Sequence, residues 1–433
     1  MRAIYLFKRD LRIEDNRGLY KACSEFKEII PIFIFDPDII QELRAQGERL
    51  FFLMKSVELL SSKIDLYCFY GKTKDILKDV FKVVNPKALY TSVSYSWSGK
   101  ERNEHIKDVC KEYGVQYIEV LDNFLVDPKQ ILQKKVFTPF YKEWIQKVDL
   151  NQVRAEKVNI PKLPLPKLKD IKVFLDLKEY YYFKPEDFRA RLENFDFENY
   201  ESKRNFLDTD GTSKISPYIR FGLISIREIF KMANNRSEQF IKELAWREFW
   251  YHIAYNFPET KNIEFQEKRR SIKWENREDY IKRFLEGKTG YPIVDAGIRQ
   301  LVEEKWIHNR MRMILGSFLT KVLFIDWRIG EQFFKENLLD YDEVVNTGNW
   351  QWVASVGADP RPLRLFNPII QAQKFDPECK YIKKYIPELS KTPCYQIHNP
   401  LENKINYIKP IVNYYERRNL VKEIYGIEKI EDN

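Results

Sequence analysis

The sequence predicts an α/β domain built on a doubly wound parallel sheet, followed by a larger all-α domain. Three observations predict it. Short apolar runs alternate with helical patterns over residues 1–125, strand signals then mostly vanish, and long segments with apolar residues three and four apart fill the remainder. At 433 residues the chain exceeds the usual size of a single core, so two domains are expected.

The strand candidates are AIYLF (3–7), IIPIFIF (29–35), DLYCFY (65–70), ALYTSV (88–93) and QYIEVL (116–121). Between them lie GERLFFLMKSVELLSS and TKDILKDVFKVV, with helical spacing. Strand, helix, strand in this order implies parallel pairing, with ligands at the C-terminal ends of the strands. No G-x-G-x-x-G follows the first strand; FKRDLRIEDN stands there instead. Residues 126–175 contain VRAEKVNIPKLPLPKLKDIK, rich in Pro and Lys, and are expected to be a surface linker. The expected domains are therefore 1–125, the linker 126–175, and a helical domain over 176–433. Its helix candidates are SIREIFKMA, EQFIKELAWREFWYHIAYNF, IVDAGIRQLVEEKW and NRMRMILGSFLTKVLF. Ser225 with Glu228 forms an S-x-x-E capping box, and Ser216 with Pro217 suggests an N-cap and first-turn pair.

Composition narrows the function classes. Aromatic residues make up 15% of the chain, which argues for stacked ligands or an aromatic core. The net charge of +9 suits a polyanionic partner. No apolar run is long enough for a membrane span and the start, MRAIYLFKRDLR, is charged by residue 8, so a cytoplasmic protein without a secretory signal is expected. The five cysteines (23, 68, 110, 379, 394) lack C-x-x-C spacing, and four histidines form no zinc pattern. Both a disulfide scaffold and a metal site are disfavoured.

Four stretches carry chemistry, each with a plain structural alternative. In DGTSKISPYIRFG (210–222), hydroxyls and a helix start together make an anion cradle, or simply a capped helix. In KELAWREFW, Glu243, Trp246, Arg247 and Trp250 share one helix face, which suits a flat, hydrogen-bonding ligand or an internal salt bridge beside a buried indole. In HNRMRMILG (308–316), Asn309, Arg312, Met313 and Gly316 share a face, whose alternative is a solvated basic surface. DYDEVVN (340–346) clusters Asp340, Asp342 and Asn346 without the glycine and terminal Glu of a calcium loop. EGKTGYP mimics part of a P-loop, but Lys282 replaces its first glycine and no strand precedes it.

Together FKRDLRIEDN, DGTSKISPYIRFG, KELAWREFW, GKTGYPIVDAGIRQL, WIHNRMRM, IDWRIGE and LLDYDEVVNTGNWQW resemble the DNA photolyase/cryptochrome family over essentially the whole chain, closest to class I cyclobutane pyrimidine dimer photolyases. The resemblance implies FAD as cofactor, ultraviolet-damaged DNA as partner, and light-driven dimer splitting by electron transfer from reduced FAD. It assigns Tyr200, Thr212, Ser213, Ser216 and Arg247 to the FAD phosphates, and Asn309, Arg312, Asp340, Asp342 and Asn346 to the rest of the cofactor. Asn346 matches the position beside flavin N5, where repair enzymes carry Asn. The dimer must leave the duplex stack to react, as in other enzymes that act on single bases; photolyases are among the known examples.

For the lesion pocket the resemblance implies Glu243 as hydrogen-bonding partner of the pyrimidine carbonyls, Trp246 and Trp352 as walls, and Asn309 and Met313 as floor. Arg204, Arg361, Arg364 and Lys374 are candidate phosphate contacts. Trp350, Trp327 and Trp274 match an electron relay toward the flavin. Residues two apart on a helix lie about 200° apart, so Trp350 and Trp352 would serve opposite sides. A light-harvesting chromophore is implied in the N-terminal domain, near Phe35, Asp36, Arg49, Arg102 and Arg220; flavin or deazaflavin is favoured over folate. A monomer is expected. The alternative function is a cryptochrome-type blue-light photoreceptor, against which only a short charged end follows the last motif. Repair of the (6-4) photoproduct uses a His pair where this chain has His308 and Asn309, and a purely structural DNA-binding role would not need Glu243 and Asn346.

Overall fold

The computed structural model describes residues 1–44, 47–154, 158–165, 180–359, 363–402, 404–426 and 431–432. Contacts divide the chain into two compact units. The first comprises Met1–Leu132, Tyr141–Phe195 and Lys214–Tyr251; the second comprises Gln133–Phe140, Asp196–Ser213 and His252–Asn433. This interleaving differs from the expected order of domain, linker, domain. The expected linker also carries structure. Phe137–Lys147 is a helix in which Trp144 is fully buried, its apolar positions hidden in the sequence by the Pro- and Lys-rich stretch that follows. Residues 155–157 and 166–179 of that linker lie outside the described residues, as does Arg361.

The first unit is built on five strands, β1 (Arg2–Leu6), β2 (Glu28–Phe35), β3 (Tyr67–Tyr70), β4 (Ala88–Ser92) and β5 (Gln116–Val120). Every expected run forms one. The order is β3-β2-β1-β4-β5, with every pair parallel, so the direction of winding reverses beside β1. Burial on both faces explains the near-continuous apolar runs of β1, β2 and β4. Pro31 is tolerated inside β2 for a local reason. Ile29 N–H points away from β1, to Asn159 O, so the missing donor of Pro31 falls on the same side, where β3 pairs only from Ile32 onward.

FKRDLRIEDN folds into a buried polar network rather than a phosphate loop. Asn16 caps the Arg17–Glu25 helix through Leu19 N, and its Oδ1 lies 2.8 Å from the Tyr5 hydroxyl. Arg12 donates to Asp122 Oδ2 at 2.6 Å. Arg227, fully buried, donates to Asp15 Oδ2 at 2.8 Å and to Asp122 Oδ1 at 3.1 Å. Burial by itself raises the Asp122 carboxyl, but Arg12 and Arg227 more than offset this and hold it below its usual value of 3.8. This ionic knot ties the turn after β1 to the chain after β5 and to the Ile226–Ala233 helix. Ser225 caps that helix through Arg227 N, as expected. Glu228 does not close the capping box and sits 3.3 Å from Arg189 instead.

The second unit is helical around a continuous apolar core that includes Met311, Phe318, Trp327, Trp350 and Tyr414. The expected helix over NRMRMILGSFLTKVLF is interrupted. It runs Asn309–Ser317, continues as a π-helical turn over Phe318–Val322, and stops before Phe324 at φ 53°. Lys321 in that turn is buried, and its Nζ donates to Arg364 O at 2.8 Å. Burial, reinforced by Arg269, pushes its ammonium down to about 7. A short parallel pair, β6 (Arg364–Leu365) with β7 (Glu431–Asp432), adds strand character that was not expected. The P-loop mimic is structural, since Thr289 donates its hydroxyl and its N–H to the buried Asp295.

Candidate functional site

In the first unit, the Glu238–Asn256 helix places Glu243, Trp246 and Arg247 on one half-buried stripe, while Leu244, Ala245 and Phe249 are buried behind it. The periodicity of KELAWREFW is therefore realised. Glu243 accepts from Gln239 Nε2 at 2.7 Å. Trp246 packs on Trp250, which is buried, with ring centroids 5.5 Å apart. Arg247 is steered by Asn123 O at 3.0 Å and lies over the rings of Phe124 and Tyr251. The adjacent Glu248 anchors this helix. It accepts from Leu125 N, Val126 N and Trp144 Nε1, and burial raises its carboxyl.

Ser216 opens the Ser216–Phe221 helix at its first position, with Ile215 as the cap residue and Pro217 one place later than expected. Ile215 carries no capping side chain, so the cap position falls one residue before the expected Ser216. At the sheet, Phe35 is buried against Phe33, with centroids 4.8 Å apart. Asp36 accepts from Thr73 N and Thr73 Oγ1, both at 2.7 Å, and from Asp38 N, which makes it a turn residue in the first place. Arg49 is buried, Arg102 lies on the Trp97–Glu112 helix, and Arg220 stacks near Phe221. Beside the winding reversal, Lys8 Nζ donates to Ser92 O at 2.9 Å and burial brings it down to about 8, while Trp97 Nε1 is buried with no partner among the described residues. Neither Lys8 nor Trp97 stood out in the sequence, where one is a surface-type residue and the other a core-type residue.

In the second unit, the decisive elements are the Asn309–Ser317, Trp327–Asn337 and Glu343–Val353 helices. Gly316 lets the first approach the third: a Cβ there would meet Val353 Cγ1 at 2.5 Å. Arg312 donates to Asp340 Oδ2 at 2.8 Å, and Asp340 Oδ1 is buried with no donor among the described residues. Asp342 caps the Glu343–Val353 helix through Val344 N and Val345 N. One turn on, Asn346 spends its Nδ2 hydrogens on Glu331 O (3.1 Å) and Glu331 Oε1 (3.0 Å), so Oδ1 is the atom turned away from Glu331. Tyr341 also donates to Glu331 Oε1, at 3.1 Å, and burial raises the Glu331 carboxyl. Glu331 was missed because a Glu at helical spacing in IDWRIGE looks like a solvated face.

Tyr200 is buried under the guanidinium of Arg204, 5.4 Å from its ring centroid. Thr212 and Ser213 are half-buried, and no protein hydrogen bond occupies either hydroxyl among the described residues. Asn309 is exposed with its Nδ2 3.9 Å from Met313 Sδ, and Met313 is half-buried. Trp350 is buried edge-on to Phe334 at 4.9 Å, whereas Trp352, two residues on, is only partly buried. Trp327 is buried and donates to Glu264 Oε1 at 3.1 Å; Trp274 packs on the core but stays partly exposed. Arg310, also missed, stacks on Phe375 at 4.4 Å and donates to Asn205 at 2.6 Å. Burial and the nearby Arg204 push its guanidinium down to about 10.

The buried Asp340 oxygen without a donor and the two hydroxyls without acceptors suit a ligand that supplies both hydroxyl hydrogens and phosphate oxygens, as a flavin dinucleotide does. Comparison with known proteins independently identifies an FAD-binding domain. The FAD-binding domain of DNA photolyase matches residues 240–426, and the DNA photolyase domain matches residues 3–164. A deoxyribodipyrimidine photo-lyase from Synechococcus sp. is 34% identical over 98% of this chain and 96% of its own length.

The chain belongs to the DNA photolyase/cryptochrome family.

Among solved structures, the archaeal photolyase from Sulfolobus tokodaii, determined with two FAD molecules that imply a novel light-harvesting cofactor, superposes with a TM-score of 0.89. It is 35% identical, covering 98% of this chain and 100% of that one. A Synechocystis cryptochrome shares the photolyase/cryptochrome fold at a TM-score of 0.87 and 24% identity. No described helix is long and apolar enough to cross a membrane.

Proposed function

We propose that the protein is a deoxyribodipyrimidine photo-lyase that uses light to split cyclobutane pyrimidine dimers in DNA. The observation that carries this is the Asp340 to Asn346 stretch: a buried Asp340 carboxylate oxygen with no donor among the described residues, followed in the next helix by the Asn346 amide, whose N–H groups are committed to Glu331. FAD, when bound, supplies the light-driven electron. Everything else is placement. Thr212, Ser213, Ser216, Tyr200 and Arg247 would hold its phosphates; Asp340, paired to Arg312, and Asp342 would take its hydroxyl or amino groups; Asn309 would border it, and Asn346 Oδ1 would face the ring.

Glu243 would hydrogen-bond the pyrimidine carbonyls while Trp246, Trp352 and Met313 exclude water around the lesion, and Asn309 would contribute to its floor. Arg204, Arg310, Arg364 and Lys374 would meet backbone phosphates; Arg361 belongs to the same proposed set but lies outside the described residues. Trp350, Trp327 and Trp274 would relay electrons; the first two indoles are buried and the third is partly exposed.

A second chromophore would occupy the strand ends near Phe35, Asp36, Arg49, Arg102 and Arg220, with Lys8 and the Trp97 indole N–H as added candidates; a flavin-type ring is favoured. The relative with two FAD molecules supports that choice. Extracting and separating the chromophores of the purified protein identifies it. The same proposal takes the protein as a cytoplasmic monomer acting on ultraviolet-damaged DNA. Blue-light irradiation of an oligonucleotide bearing one cyclobutane dimer tests the function: restored pyrimidines support it, and an unrepaired dimer with a fully reduced cofactor favours the photoreceptor alternative. Glu243→Ala is expected to lower the quantum yield with FAD content unchanged, so a wild-type yield would remove Glu243 from this role.

A further inference from the structure

Two cysteines far apart in sequence, Cys379 and Cys394, are joined as a disulfide in the second unit, contrary to the expectation from their spacing. No short motif announces this pair, because the Lys380–Tyr385 helix and the turns after it separate the two residues and only folding closes the loop. Cys23, Cys68 and Cys110 remain free thiols. The pair is not alone. His398 is 7% exposed, and its Nε2 lies 3.2 Å from Cys379 Sγ and 3.8 Å from Cys394 Sγ.

A disulfide needs no imidazole against both sulfurs, whereas a soft divalent metal does use two thiolates and a histidine. The distances fit that use. A tetrahedral zinc with Zn–S near 2.3 Å and Zn–N near 2.0 Å has sulfur–nitrogen edges of about 3.6 Å and a sulfur–sulfur edge of about 3.8 Å. Both sulfur–nitrogen separations already straddle the required edge, so only the two sulfurs must part. Cys379 and His398 are buried and Cys394 is half-buried, so the parting of the sulfurs falls to Cys394.

We propose that Cys379, Cys394 and His398 form a two-state site: a disulfide when oxidised and, once reduced by a dithiol, a three-ligand pocket for a zinc-type divalent metal. In the first step the dithiol passes two electrons and two protons to the disulfide, giving two protein thiols and an oxidised, disulfide-bonded reductant. In the second the metal replaces those two thiol protons, which leave to solvent. His398 Nε2 hydrogen-bonds Asp376 O at 3.1 Å in the oxidised state; on metal binding Nε2 becomes a ligand and the ring proton moves to Nδ1. Asp376 O still accepts from Cys379 N, so no buried acceptor is stranded.

The test uses the full chain and Co²⁺ as a spectroscopic probe. After dithiothreitol treatment and anaerobic desalting, thiols counted on an unfolded aliquot should rise from the three free cysteines to all five. One Co²⁺ per chain should then give thiolate charge-transfer and ligand-field bands that vanish in Cys394→Ser and in His398→Gln but persist in Cys23→Ser. Circular dichroism of the reduced chain should match that of the oxidised one. A thiol count that stays at three, a folded reduced chain without bands, bands that survive Cys394→Ser, or unfolding on reduction would each overturn the proposal, the last by making the pair a plain staple.

Discussion

Asn346 presents its carbonyl oxygen because Glu331 takes up its amide hydrogens, and Glu331 stays in place because Tyr341 donates to the same oxygen. Removing that acceptor strands two buried donors. An unsatisfied buried polar group costs about 1–3 kcal/mol, so Glu331→Ala should lower the unfolding free energy by roughly that amount, and Glu331→Gln, which keeps a carbonyl acceptor, by less. Denaturant titration of both variants checks the order; equal losses would mean that packing rather than hydrogen bonding holds the residue. Trp350 belongs to the same scale. Its indole N–H has no partner among the described residues, and its ring fills the core, so Trp350→Phe keeps most of the packing while removing the oxidisable group. Photoreduction by an external donor should stop in that variant, while repair persists when the flavin is reduced chemically. Glu243 stood out in the sequence because a polar residue interrupts an apolar helical face, and Asp340 because acidic residues cluster in DYDEVVN; Glu331 and Arg310 did not, because nothing in a linear pattern separates a buried partner from a solvated one.

Helices carry the site only where they come close enough. Gly330, on the Trp327–Asn337 helix, lies against the Trp350 ring on the Glu343–Val353 helix, and a Cβ there would meet Trp350 Cη2 at 2.2 Å. Leu319 Cδ2 would lie 2.6 Å from the same Cβ, and both Trp350 and Leu319 are buried. Overpacking of this kind costs about 1–3 kcal/mol, so Gly330→Ala should lower the unfolding free energy by that much and bring the denaturation midpoint down with it. An unchanged midpoint would show that the two helices are free to move apart. The NRMRMILGSFLTKVLF segment illustrates what a helical period conceals. Apolar spacing continues through Phe318–Val322, yet the backbone widens to a π-turn there and buries Lys321, which the sequence alone assigns to a surface.

On the scale of each unit, the first depends on a buried ionic knot as well as an apolar sheet. Asp122 sits between Arg12 and Arg227, which hold its carboxyl below the unfolded value of 3.8. A carboxylate depressed in this way contributes its full stabilisation above the unfolded value and loses it as pH falls through the lower folded one. The wild-type chain should therefore lose stability as the pH falls below about 4. Asp122→Asn leaves both guanidinium groups short of a partner and should cost about 3–5 kcal/mol at neutral pH, with a shallower further loss in acid. Thermal unfolding across that range checks both statements, and parallel acid profiles for the two proteins would rule the knot out as the acid-sensitive element.

The sequence by itself determined the five parallel strands, the helical second half and the family, because local periodicity and ordered motifs survive in one dimension. Burial on both faces makes the strand runs continuous, and a functional helix face must break its own apolar pattern to hold a polar ligand. Only the tertiary structure decided where the units divide, that Phe137–Lys147 is a helix which buries Phe137, Phe140 and Trp144, and that Glu331 orients Asn346. It alone joined Cys379 to Cys394 beside His398. These features rest on contacts between residues distant in the chain, and the side chains involved carry no sequence signal until folding removes water from around them.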